Sequence, residues 1–297
     1  MPAYKTHSIH GEIIYPNIQE QIKINLEDLK LYCMGPDALI ATDYKTFNKQ
    51  HEENVKDFFI KLIYLIKDNN LQYNSEVMAY LYGQIDHLAL DSITHPLIYY
   101  LTENMEKEFK MNPHGLGECY IDEYIMKKYN KSQKNYYLKR SIKDKELIKL
   151  LDKVYENIFD IKNGGNKYSY GIYSTYMFDK IRNDKHGIAS FITNKTNVGN
   201  LTYDGNITKA FPYLNLEHDI WYNPETNQRH TESFDDLWYL ASKVSLDTIK
   251  DVNDFLYFDK PLTNSLILND TSYNTGLSCD RGQTLKYVKK YKKEINN

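Results

Sequence analysis

The stretch NSEVMAYLYGQIDHLALDSITHP, residues 74–96, narrows the choice of fold more than any other part of the chain. Val77, Leu81, Ile85, Leu88 and Ala89 recur at the three- and four-residue spacing of one helix face. Such a stripe is stable only when packed against other apolar faces. Asn74 or Ser75 supplies an N-cap, and Glu76 places acid in the first turn. At the far end Pro96 disfavours helical geometry at His95, which predicts a break or kink there. Into this apolar helix the chain inserts His87, Asp91 and His95, four residues apart.

The flanking sequence repeats the helical pattern. Ile18, Ile22, Leu26, Leu29 and Cys33 predict a helix over 17–34, ended by Gly35-Pro36, with Asp37 just past it. His51 is expected to open a helix whose stripe runs through Val55, Phe58, Phe59, Leu62, Ile63 and Ile66, stopped by Asp68-Asn69-Asn70. MNPHGLGECYIDEYIMKKY reads as a glycine-interrupted turn that continues as a helix through Ile121, Tyr124 and Ile125. Charged, helix-favouring sequence then runs to about residue 160. IKNGGNK (161–167) reads as the clearest interior loop, and 168–232 as irregular with short helices. Ser233 and Asp236 fit a capping box for a late helix over 233–256, and the tail LKYVKKYKKEINN reads as a basic, frayed helical end. Only 13 glycines and 8 prolines in 297 residues agree with long helices rather than many short strands. The expected architecture is all-α, helix packed on helix, in one domain over residues 1–297.

The net charge of −3 gives no basic field for a stable nucleic-acid partner. The cysteines Cys33, Cys119 and Cys279 are scattered, odd in number and without a CxxC pair, which suits a reducing compartment. MPAYKTHSIHGEII has no apolar core of a secretory signal, and FFIKLIYLI (58–66) is too short to span a bilayer. The expectation is a cytoplasmic protein without a transmembrane segment.

A four-residue step along a helix turns about 40° beyond a full circle and rises about 6 Å. His87 and Asp91 can therefore clamp a single ion. His95 lies about 12 Å from His87 along the axis if the helix persists, too far for one ion with bonds of about 2 Å. Two or more ions, with Asp91 between them, suit the spacing. Asp37, His51 and a second i, i+4 pair, His114 and Glu118 in HGLGE, supply further ligands. Six of nine histidines (His7, His10, His51, His87, His95, His114) fall within the first 114 residues. A lone HxxxD or HxxxE more often just braces an exposed helix, but the whole set is an N/O ligand collection typical of zinc. His10, His186, His218 and His230 are assigned to surface or hydrogen-bonding roles. Tyr82 and its neighbours are better read as core than as a substrate cleft, because 28 tyrosines are spread through the chain.

MPAYKTH, GPD, HEENVKDFF, GQIDHLALDSITHP and HGLGECYIDEYI occur in the order seen in the zinc-dependent phospholipase C family, which the chain resembles over roughly residues 1–130. WYNPETNQRHTESFDDLW and SYNTG look like features of its cytoplasmic-type bacterial members. The resemblance implies the all-α phospholipase C/P1 nuclease-like bundle and a cluster of two or three zinc ions. Asp37, His51, His87 and Asp91 would hold the first ion, and His95, His114 and Glu118 the second. His7 and the bridging Asp91 would hold the third, and Asp37 is the candidate general base. Two departures stand out. In the secreted enzymes the histidine after HxxxD comes two residues later than His95 does here. Their mature N-terminal tryptophan also ligates the third zinc, whereas this chain has no tryptophan before Trp221. The third site is thus expected to be weak, empty or completed by another group such as His10.

The implied activity is hydrolysis of a phosphate ester, phospholipid or related, by metal-activated water; neither a GxSxG nor a Walker loop is present. An S1/P1-type nuclease on the same site would need an aromatic base-stacking pocket. A non-catalytic protein stabilised by its metals is the third reading. A cytosolic enzyme acting on phosphatidylcholine would attack its own membranes, which argues for a different substrate or latent activity.

Overall fold

A computed structural model of the chain describes residues 4–18, 21–102, 113–132, 141–182 and 205–279. The helices are α1 (Tyr4–Ile14), α2 (Leu26–Tyr32), α3 (Tyr44–Glu52), α4 (Val55–Asp68), α5 (Ser75–Thr102), α6 (Pro113–Lys128), α7 (Lys145–Phe159), α8 (Gly164–Arg182), α9 (Phe234–Phe258) and α10 (Ser265–Leu268). A 3-10 turn spans Gly35–Leu39, and a small antiparallel pair joins β1 (Trp221–Tyr222) to β2 (Arg229–His230). The fold is the all-α bundle that the spacing predicts.

The central helix is α5. Asn74 Oδ1 caps it, accepting from the backbone N–H of Glu76 and Val77 at 3.0 and 3.1 Å. From Val77 to Thr102 nearly every side chain is buried, because α2 and α9 lie along it and α6 and α1 close its far half. Two apolar clusters divide along its length. Val77 to Leu88 join one core with α2, α4, α7 and Ile249, Val252 and Leu256 of α9. Leu90, Leu97, Ile98 and Leu101 join another with α6 and Phe234, Leu237 and Trp238 of α9. His87 and Asp91 sit where the two cores meet.

Several local expectations need correction. The helix does not break at His95: α5 is continuous through Pro96. Proline removes the N–H that would bond the Ser92 carbonyl, but that carbonyl lies against Gly276, where any Cβ would collide with it. Packing thus supports the segment at the point where local sequence would end it. The predicted helix over 17–34 is really α2 alone, begun by the Asn25 cap on Glu27 and Asp28. A further helix, α1, precedes it. His51 closes α3 rather than opening α4, since Asp43 caps α3 at Thr46 and Asn54 begins α4 in a left-handed conformation. HGLGE is helical, within α6. The interior loop ends at Asn163: α8 (Gly164–Arg182) takes in the rest of the predicted loop and residues 168–182 of the region read as irregular. The late helix and its capping box are present as expected, in α9. His186 and the tail from Leu285 lie outside the described residues.

Candidate metal centre

Four elements bring the eight expected ligands together with the 3-10 turn. His7 comes from α1 and Asp37 from that turn. His51 closes α3, His87, Asp91 and His95 line α5, and His114 and Glu118 occupy the start of α6. Gly35 permits the turn to lie flat on α5: its φ is +58°, and a Cβ there would strike the His87 ring.

The ligand atoms form three groups, and within each group they all lie within 4.8 Å of one another: Asp37–His51–His87, His7–His87–Asp91 and His95–His114–Glu118. His7 Nε2 is 3.1 Å from Asp91 Oδ1, and His87 Nε2 is 2.9 Å from Asp91 Oδ2. His51 Nε2 is 3.2 Å from Asp37 Oδ1, and Glu118 Oε1 is 3.3 Å from His95 Nε2 and 3.0 Å from His114 Nε2. Asp91 Oδ1 also faces His95 Nε2 at 3.6 Å, so this carboxylate stands between groups. The rings of His7 and His87 stack at 3.9 Å. His10 does not join them. It is fully buried, bonding Asp86 at 2.8 Å and Ser242 at 2.9 Å, so of the roles expected for it the hydrogen-bonding one holds, and it does not fill the third group.

Backbone carbonyls fix how three of the histidines point. Nδ1 of His51 donates to Phe47 O (2.7 Å), that of His87 to Cys33 O (2.8 Å) and that of His95 to Tyr273 O (2.9 Å). A carbonyl only accepts, so each Nδ1 carries the proton and each Nε2 faces the cluster as a donor of electrons. The same outer-shell arrangement orients histidines in zinc proteins.

These residues fit a cation. His87 Nε2 is buried with no hydrogen-bond partner although a carboxylate oxygen lies 2.9 Å away. A lone pair facing a carboxylate at that range is repulsive unless positive charge intervenes. Asp37, Asp91 and Glu118 bring three buried carboxylates together, which only cations or protonated histidines can offset. Without metal the protons do so. Burial opposes charge on His87, but Asp91 and Asp37 outweigh it and push the imidazole up to about 9. Burial likewise opposes charge on His95, and Asp91 and Glu118 raise it to about 9. Burial would raise Asp91 and Glu118, yet the surrounding histidines hold both carboxyls well below the usual range.

The description of one family model, zinc dependent phospholipase C, matches this picture, and that model aligns with residues 6–183. The chain belongs to this family. No curated protein and no solved structure matched the chain. All eight ligand candidates fall inside the family-matched region. Among the described residues no helix is long and apolar enough to cross a membrane.

Two supporting groups escaped the sequence reading. The first is the turn 271–278, beyond the family-matched region. Tyr273 accepts from His95 through its carbonyl, donates its N–H to His51 O at 3.0 Å, and tilts its ring against His51 and His87. Asn274 secures the turn, donating to Glu52 at 2.8 Å and accepting from Tyr99 at 3.2 Å. SYNTG is visible as a family-like string, but nothing local ties it to His95. The second group anchors the start of α1 beside His7. Asp122 Oδ1 accepts from the N–H and hydroxyl of Thr6, both at 2.8 Å. Lys5 pairs with Asp179 at 3.0 Å, and Arg182 lies 3.5 Å from Asp122.

Proposed function

We propose that the chain is a zinc-dependent hydrolase of phosphate esters, phospholipase C-like, whose metal cluster is built from His7, Asp37, His51, His87, Asp91, His95, His114 and Glu118. The observation that carries this reading is the convergence of five histidines and three carboxylates at the seam between two cores, with His87 Nε2 unpartnered. Asp37, His51 and His87 would hold one ion, His95, His114 and Glu118 a second, and His7 with Asp91 a third. When bound, the ions supply Lewis-acid charge for the phosphate oxygens and lower the pKa of a water to near neutrality.

The chain's own residues do the rest. Asp37 accepts the proton of the attacking water on a carboxylate oxygen. The backbone carbonyls of Cys33, Phe47 and Tyr273 keep the imidazoles aimed as the charge distribution changes. Among the eight, the His114 side chain is the most exposed, at 19%, whereas His87 is at 0%. The substrate phosphate accordingly approaches from the α6 side, where Tyr99 stacks on His114 at 4.5 Å. We read the described residues as one domain, because the 271–278 turn completes a site begun at His7.

The test is elemental analysis with hydrolysis of bis(p-nitrophenyl) phosphate. Two or three zinc ions per chain are expected, with activity lost on chelation and restored by zinc. His87→Ala, and the more exposed His114→Ala should His87→Ala not fold, lower kcat/KM by at least about a hundredfold. Protein purified without chelator that holds no metal and hydrolyses nothing after zinc loading refutes the reading.

A further inference from the structure

The outer face of α8 is a helix surface whose chemistry the fold leaves unexplained. Tyr170, Tyr173, Met177 and Ile181 recur at helical spacing and are 42–69% exposed. They make an apolar stripe about 16 Å long. A helix face turned to water normally carries charge; this one carries no exposed acid. Asp179, the only acidic residue of α8, is buried against Lys5. The exposed charge beside the stripe is Lys180, whose ammonium lies 5.0 Å from the Tyr176 ring centre.

The stripe cannot turn inward, because the opposite face of α8 is fixed. Tyr168 donates to Gly35 O at 2.9 Å, in the turn that carries Asp37. Asp179 and Arg182 tie the last turn to the start of α1 and to α6. The helix therefore packs by its inner face on two elements that carry ligands, the turn of Asp37 and α1. Tyr44, the first residue of α3, is 62% exposed. Lys167 joins the two helices, bonding Asp43 at 2.7 Å and accepting from Thr42 through its carbonyl at 3.0 Å. From Tyr44 a line of rings leads inward to Phe47 at 5.6 Å and on to the ligand His51 at 4.4 Å.

We propose that Tyr44 and the Tyr170–Ile181 stripe form a docking face for a phospholipid surface. The proposal rests on the phosphate-ester reading only in naming lipid as the substrate class. Tyrosine suits this role because its ring is apolar and its hydroxyl stays wet, the combination favoured at membrane interfaces. Lys180 is placed to meet lipid phosphate. A second copy of the chain fits poorly: in a two-fold contact through this stripe Lys180 would meet no acid, because the face carries none exposed. The attachment is peripheral, since no described helix can span a bilayer.

The experiment is co-sedimentation of the zinc-loaded full chain with sucrose-loaded vesicles of phosphatidylcholine, and of phosphatidylcholine with phosphatidylserine. The variant is Tyr170→Ser, Tyr173→Ser, Met177→Ser, Ile181→Ser in combination. Wild type is expected to partition onto vesicles, and the variant at least about tenfold less. Hydrolysis of soluble p-nitrophenyl phosphorylcholine is expected to be equal in the two, while hydrolysis of vesicle lipid falls. Should the fourfold variant misfold by circular dichroism, Tyr173→Trp replaces it, with quenching by brominated lipid expected at the new indole. Wild type that stays in the supernatant, a fourfold variant that partitions equally, or an indole that brominated lipid leaves unquenched overturns the proposal. So does a wild-type dimer that the variant converts to monomer, since the occupant is then a second copy. Inactivity of wild type on the soluble ester counts against the hydrolase reading instead, and leaves the vesicle measurement to decide the face.

Discussion

Gly276→Ala tests whether the turn beyond the family-matched region holds the metal site together. Gly276 has φ +67°, where alanine costs about 1–2 kcal/mol. Its Cβ would also collide with the Ser92 carbonyl, which α5 cannot withdraw from the core. The turn must therefore lift, straining the bonds of His95 to Tyr273 O, Tyr273 to His51 O and Asn274 to Glu52. Each hydrogen bond weakened costs about 1 kcal/mol. Loss of the carbonyl that orients a ligand histidine lowers metal affinity about 10- to 100-fold. Gly205→Ala is the control, because Gly205 has φ +76° with nothing within 4 Å of its Cβ position. It shares the backbone strain and lacks the collision. Denaturant unfolding of the metal-free chains and zinc competition against a chromophoric chelator read the two effects. Gly276→Ala is expected to be at least about 2 kcal/mol less stable than Gly205→Ala and to release zinc more readily. Equal stability and equal zinc affinity in the two variants would refute the coupling of this turn to His95.

Other outcomes follow from the same geometry. His87 and His95 are both raised from 6.5 to about 9. A raised imidazole stabilises the fold fully below pH 6.5 and loses that contribution as pH rises through about 9. Metal-free protein should thus weaken between pH 7 and 9.5 in urea titrations, whereas its zinc affinity should rise over the same window because the metal displaces those protons. Asp122→Ala removes the acceptor of Thr6 and takes a carboxylate away from the buried Arg182. A loss of about 3 kcal/mol or more is expected in denaturant unfolding, and a loss under about 1 kcal/mol would show that Asp122 does not anchor α1.

The ligand positions on α5 and α6 are legible because the i, i+4 rule maps sequence spacing directly onto one helix face. Positions set by end effects are harder. The sequence pattern puts His51 on the wrong end of its helix, although Asp43, the cap that begins α3, stands eight residues upstream. Pro96 misleads for a different reason. The rule against helix before proline is local, and burial of α5 on both sides overrides it. The α8 helix escapes a pattern search because periodicity needs contrast between faces. Tyr168 and Ile172 are buried, while Tyr170, Tyr173 and Met177 are exposed, so apolar residues occur all round. The loss of pattern that hides the helix is the same feature that makes its outer face unusual. Tyr273 lies 178 residues from His95, and no local rule spans that separation.

The seam between the two cores explains why so much charge can be gathered without undoing the fold. Had His87, Asp91 and Glu118 been placed inside one apolar cluster, each would have displaced packing on every side. At the junction, α5 supplies apolar contacts before His87 and after Asp91, and the polar layer between them is held by backbone carbonyls and not by further charged side chains. Those carbonyls come from three separate elements: the end of α2, the body of α3 and the 271–278 turn. Removing the metal therefore leaves His51, His87 and His95 oriented, with protons taking over the ions' charge. Zinc should accordingly enter a site already formed. The metal-free chain should keep its helical circular dichroism at pH 7, and a chain that unfolds on chelation at that pH would show instead that the ions build the seam.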